Sequence, residues 1–231
     1  LKMGLIQLMT KDYIDLRNLI GLNKLNTSYI LLYDWSTRPT NFKSNLGRGS
    51  IMDIKILDSN DFLSFKKIRL FALKNDPMAF GSSYAEESQK TDGYFKNKIK
   101  QERNKFTIGF FESGHLVNIA SFTQQNNLKE QHKGEITSVY CLNNYRNQGL
   151  TKKILTILLD KAFLIPELKI LKIAVLSENE PAKKLYSSLG FKKYGQELYS
   201  LFDGEKYYDE DLMYIDYEAF IAQRNLISSV K

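Results

Sequence analysis

Residues 146–151 read R-N-Q-G-L-T, directly after the apolar run Ile136 to Leu142 and directly before Leu150 to Phe163, whose apolar residues have helical spacing. Strand, glycine-bearing turn and helix start, in that order, make a place to hold a phosphate. The first N–H groups of a helix have no intrahelical partner and the helix dipole adds partial positive charge, so a pyrophosphate can dock there without a dedicated lysine. A nucleotide-triphosphate loop is excluded by spacing: G-x-x-x-x-G-K-[S/T] needs a glycine where Asn144 stands and a lysine where Leu150 stands. A dinucleotide fingerprint is excluded as well, because one glycine stands where three are needed.

Working outward, the pattern predicts a strand over Asp53 to Leu57, a helix over Asn60 to Lys74 with Phe62, Phe65, Ile68 and Ala72 on one face, and a loop over Asn75 to Ser83. A second helix is expected from Tyr84 to Gln101. Two strands, Phe106 to Glu112 and His115 to Gln124, follow around the tight turn Ser113-Gly114. Next come a loop (Asn126 to Lys133), a strand (Glu135 to Leu142) and a helix from Gln148 with Leu150, Ile154, Leu155, Leu158, Ala162 and Phe163 facing a sheet. Pro166 ends that helix. Leu168 to Leu176 reads as a buried strand, Asn179 to Leu189 as a helix closed by Gly190, and Phe191 to Leu201 with Tyr207 to Tyr217 as a hairpin about Asp203-Gly204.

Composition narrows the class. The 231 residues are 43% hydrophobic, enough for one good core, and contain no apolar run of about 18 residues that would span a membrane. The first eight residues do not read as a secretory signal. One cysteine, Cys141, allows no internal disulfide and fits a reducing cytoplasm. His115 and His132 make no metal-ligand spacing, so no metal is expected.

The net charge of +7 is unevenly spread. Residues 1–51 hold seven basic and three acidic side chains, against 26 and 23 in the remainder. The remainder mixes both signs like an ordinary solvated surface, which disfavours nucleic acid as a partner. The polar, aperiodic stretch Asn41 to Ser50 reads as a linker, and Met52 stands where a self-contained domain would begin. Residues 1–51 are therefore expected to be an extension, read more readily as a non-native or upstream-translated segment than as an appended module. Residues 52–217 are expected to form the domain and 218–231 a tail.

A second segment, Asn179-x-x-Ala182-x-x-Leu185-Tyr186-x-x-x-Gly190-Phe191, follows R-N-Q-G-L-T by about one strand and one turn. Together the two resemble the GNAT superfamily of acetyl-CoA-dependent N-acetyltransferases over about Met52 to Tyr217. The family's first motif is [Q/R]-x-x-G-x-[G/A]; Arg146 and Gly149 match it, and Thr151 departs from it with a bulkier side chain. The resemblance implies a mixed α/β fold: a twisted, mostly antiparallel sheet flanked by helices, splayed between the strands carrying Val139 and Ile173.

It also implies roles. Arg146, Asn147, Gln148, Gly149, Leu150 and Thr151 would hold the pyrophosphate, while Val139, Tyr140 and Cys141 would pair with the pantetheine arm as an extra strand does. A backbone N–H near Tyr140 or Cys141 would polarise the thioester carbonyl. Asn179 would bond the cofactor arm and Ala182 would let it pass. Tyr186 matches the general acid that protonates the departing thiolate, and Glu135 the position of a base for the incoming ammonium, its pKa raised if apolar neighbours desolvate it. Phe80, Tyr84, Glu86 and Glu87 correspond to the variable wall over the acceptor.

The expected reaction is direct acetyl transfer to a primary amine in a ternary complex, without an acyl-enzyme. A non-catalytic acyl-CoA-binding module, or a nucleic-acid-associated protein using the basic N-terminal extension, are the alternatives. Polyamine, amino acid, antibiotic, peptide N-terminus and lysine side chain all remain open as acceptors, and so does a homodimer.

Overall fold

A computed structural model describes residues 52–229, so residues 1–51, with the expected linker and extension, lie outside the described residues. Seven strands form one sheet in the order β1-β2-β3-β4-β5-β7-β6. They are β1 (Met52–Ile56), β2 (Lys105–Glu112), β3 (His115–Gln124), β4 (Lys133–Cys141), β5 (Ile170–Leu176), β6 (Lys192–Phe202) and β7 (Tyr207–Asp216). Every neighbouring pair is antiparallel except β4 and β5, which are parallel. The mixed, largely antiparallel fold expected of the sequence is the one observed.

The helices are α1 (Phe62–Asn75), α2 (Tyr84–Ser88), α3 (Asp92–Ile99), α4 (Leu150–Ala162), α5 (Glu180–Ser188) and α6 (Tyr217–Ser229). They cover the sheet on both faces, and alternation along the strands sorts side chains between them. Phe110 and Ala120 join α4 residues Ile154, Leu155 and Leu158 in one core cluster. Phe111 and Ile119 join α1 residues Phe65, Ile68 and Ala72, with Phe95 and Ile99 of α3, in the other. Each such fully buried Leu, Ile or Phe contributes about 1.5–3 kcal/mol by leaving water.

Two elements differ from the sequence expectation. The helix expected over 84–101 is broken into α2 and α3. Glu87 at the end of α2 is pinned in the interior by Arg69 of α1, and Thr91 starts a new helix from an extended conformation (φ −68°, ψ 162°) with Asp92 in its first turn. Thr91 makes no side-chain cap, but the Asp92 carboxylate in the first turn complements the helix dipole, so the chain breaks once and restarts. Residues expected as a tail from 218 onward instead form α6, whose Phe220 stacks on Phe163 with ring centroids 4.8 Å apart.

Where β4 meets β5 the sheet is tight. A Cβ on Gly134 would come within 2.6 Å of the Phe122 ring and 2.9 Å of the Leu171 side chain, so any larger residue there would have to displace these buried side chains. Among the described residues no helix is long and apolar enough to cross a membrane.

Candidate active site

β4 and β5 pair for three residues only, Lys133–Ile170, Gly134–Leu171 and Glu135–Lys172, after which they diverge. From Ile136 to Cys141, β4 has no β5 partner, so one edge of a central strand faces into the molecule with its peptide groups available. A bulge drives the divergence. Ile119 pairs with Tyr140 but Ser121 with Thr137, so β4 carries one extra residue at Ser138–Val139, and Ser138 takes a left-handed conformation (φ 54°). Bulges bend the strand and increase its twist; a non-glycine residue held left-handed costs about 1–3 kcal/mol, a strain concentrated at working sites.

The gap so opened is a cavity of about 670 Å³. Its walls include Ile136 to Val139 of β4, Ile173 and Ala174 of β5, Ala79 to Ser82 of the α1–α2 loop, and Tyr186 of α5.

At the far end of β4 stands the start of α4. Asn147 (φ 61°) and Gly149 (φ 73°) are both left-handed, the helix cap at Gly149 supplies no side-chain acceptor, and among the described residues no side chain caps the first N–H groups of α4. A Cβ on Gly149 would meet nothing within 4 Å, so glycine is required there by its dihedral angle and not by crowding. Arg146, although exposed, is tied back to the protein: its Nε donates to the Cys141 carbonyl (3.0 Å) and its Nη2 to Asp76 (3.0 Å). The Tyr140 hydroxyl donates to the same Asp76 oxygen at 2.8 Å. Burial, and then the Asp76 carboxylate, push the Tyr140 phenol up to about 12. Asp76, which the sequence did not single out, thus ties the α1 end to β4 and to the turn.

Thr151 answers its departure from the family motif by facing inward. Its hydroxyl accepts from Asn118 Nδ2 on β3 at 2.8 Å, so the added bulk joins helix to sheet instead of standing over the helix start. Gln148 donates to the Asn144 carbonyl at 3.1 Å, which closes the turn.

Tyr186 lies on the buried face of α5 at 6% exposure and lines the cavity. Its hydroxyl makes no hydrogen bond among the described residues, and burial raises its pKa well above the ordinary 10, so the phenol is protonated at neutral pH. Asn179 caps α5, its side-chain oxygen accepting from Ala182 N–H at 3.1 Å, which leaves its amide NH₂ for a ligand. Glu135 lines the cavity at the point of divergence, is exposed, and accepts from Gln125 Nε2 at 3.0 Å. The apolar surround that the sequence suggested for it is absent. Cys141 is buried, and burial raises its thiol, which suits an inert side chain.

Of the expected acceptor wall, only Phe80 lines the cavity. Tyr84 is exposed outside it, and Glu86 is committed to Ser83 in the reciprocal cap of α2. Glu87 is 2% exposed and bound by Arg69 through two hydrogen bonds (2.8 and 3.2 Å) and by Lys98 (2.8 Å). Burial alone would raise its pKa, but those hydrogen bonds prevail and hold the carboxyl down at about 2. The cavity wall instead includes Arg69, Lys98, Tyr194, Glu197 and Glu210. None of these carries a motif; β6 and β7 bring the last three in from the chain's far end.

A GNAT acetyltransferase domain model matches residues 54–212. Among solved structures, a GNAT-family acetyltransferase of Streptococcus pneumoniae is 20% identical, with 71% of this chain and 99% of that one covered at a TM-score of 0.65. The yncA protein of Salmonella typhimurium, solved with its cofactor acetyl-CoA, is 20% identical over 71% of this chain and 93% of its own, at 0.61. A spermidine N-acetyltransferase chimera from Vibrio cholerae and hSSAT is 17% identical over 74% and 98%, at 0.58. No curated protein matches the chain by sequence.

Proposed function

The chain belongs to the GNAT acetyltransferase family and is an acetyltransferase, and we propose that it moves the acetyl group of acetyl-CoA to a primary amine by direct attack. The observation that carries this reading is the conjunction of the unpaired β4 edge with the α4 start that no side chain caps. These fit the two ends of the cofactor: N–H groups of Leu150, Thr151 and Lys152 suit a pyrophosphate, and the peptide groups of Val139 to Cys141 suit the amides of pantetheine. Asn179 NH₂ and the small Ala182 serve the arm between. Bound, acetyl-CoA supplies an activated acetyl carbonyl and a thiolate leaving group.

This chain's residues do the rest. The bulge at Ser138–Val139 re-aims the backbone so that an N–H from Val139 to Cys141 meets the carbonyl oxygen as it gains charge. Glu135 takes one proton from the ammonium, directly or through water, and passes it to solvent. The freed nitrogen attacks the carbonyl carbon, the C–N bond forms and the C–S bond breaks. Tyr186 donates its proton to the departing sulfur, and the second proton leaving nitrogen restores the phenol. Ammonium and thioester thus become amide, thiol and one released proton.

Acetyl-CoA should raise the melting temperature, and acetyl-CoA-dependent thiol release should appear with an amine present. A melting temperature unmoved by saturating acetyl-CoA would sink this reading.

A further inference from the structure

The charges lining the cavity are segregated. On the α1 and α3 side, Arg69 and Lys98 share one carboxylate, Glu87, so one positive charge is left over. Arg69 is 3% exposed and held rigidly, with Glu87 on Nε and Nη2 and the Phe80 ring 4.6 Å from the guanidinium carbon. Its remaining terminal nitrogen, Nη1, has no acceptor among the described residues. Across the cavity, Glu197 and Glu210 are direct cross-strand partners on β6 and β7. Neither has an ion-pair partner among the described residues; Glu210 accepts only from Ser200, at 2.7 Å. Like charges directly opposite one another weaken a sheet, so this pair has no structural reason. Glu135 and Lys172 are also register partners and offset each other.

We infer that the acceptor is a small zwitterion, a primary ammonium and a carboxylate on one short chain, with the carboxylate toward Arg69 and Lys98 and the ammonium toward Glu197, Glu210 and the unpartnered Tyr186 hydroxyl. A monoamine would leave the excess charge at Arg69 and Lys98 unanswered. A diamine would set its second cation against them. A guanidinium stacked and pre-oriented by Glu87 and Phe80 suits a carboxylate better than a mobile lysine would.

This rests on the amine acetyl-transfer reading, and the test separates the two. Chains of two to six carbons are compared at equal length with three ends: n-alkylamine, α,ω-diamine and ω-amino acid. At the best length the amino acid should exceed both others at least tenfold in kcat/KM. Arg69→Lys and Lys98→Gln should each raise KM for the amino acid more than for the alkylamine, shrinking that preference, while Glu197→Gln with Glu210→Gln should weaken all three. Diamines or alkylamines matching the amino acid at every length would overturn the inference, as would an unchanged preference in folded Arg69→Lys and Lys98→Gln. If acetyl-CoA shifts the melting temperature but no amino acid is acetylated, the inference fails and the cofactor reading stands. No shift with acetyl-CoA defeats both.

Discussion

Asn118 of β3 donates its side-chain amide to the Thr151 hydroxyl of α4 at 2.8 Å, while its own side-chain oxygen, fully buried, has no partner. Asn118, Thr151 and the Cys141 thiol thus form one small polar cluster between β3, β4 and α4. Thr151→Ala should cost about 1–3 kcal/mol, because it removes the hydroxyl partner of a buried amide in the interior. Denaturant unfolding checks this, and a loss under about 0.5 kcal/mol, the scale of an ordinary surface substitution, would show the contact to be idle.

Gly149 makes a separable prediction. With φ at 73° and open space around it, Gly149→Ala adds about 1 kcal/mol of backbone strain without a clash. Relief of that strain would re-aim the N–H groups of Leu150 and Thr151, so acetyl-CoA affinity should drop by about tenfold or more, each tenfold being about 1.4 kcal/mol. Calorimetric titration measures it.

Tyr186→Phe removes a hydroxyl that bonds nothing among the described residues, so stability should stay within about 1 kcal/mol of the parent. Turnover should fall by about 10²–10⁴, the range for a positioned proton donor. Because burial raises its pKa above 10, Tyr186 should contribute no loss of kcat on the alkaline side below about pH 10. Normal turnover in the phenylalanine variant would remove Tyr186 from the chemistry.

Glu87 governs acid stability. Its pKa falls from 4.5 to about 2 on folding, so its contribution is fully present above about pH 5 and disappears as pH drops through the interval from 4.5 to 2. A shift of that size corresponds to roughly 3 kcal/mol. Stability measured against pH should show this acid limb, and Glu87→Gln should flatten it while lowering neutral-pH stability by about 3–5 kcal/mol, since Arg69 is left buried without its counter-charge.

Local pattern carried much of the site. The apolar face of α4, the turn before it and the cap at Asn179 are set by residues within a few positions of one another, and these appear where periodicity and turn chemistry put them. The rest of the cavity wall and the tether of the turn depend on pairings across the chain: Arg69 with Glu87 at 18 residues' separation, Arg146 with Asp76 at 70, Glu197 with Glu210 through a hairpin register containing irregularities. No local rule distinguishes the buried Glu87 from the solvated Glu86 beside it. What separates them is the packing of α1 against α2. The bulge at Ser138 was equally hidden, because the residue carries no glycine signature and its conformation is imposed by the β3 register.

Among the described residues, three ladder pairs are all the strand pairing between β1–β4 and the group β5, β7 and β6. The sheet is thus two plates sewn by a short seam, and whatever lies along β4 beyond Glu135 would act as the remaining stitches. Ligand binding and the cohesion of the two plates become one quantity: amides flanking the seam should exchange with solvent faster than those between β2 and β3, and acetyl-CoA should slow them selectively.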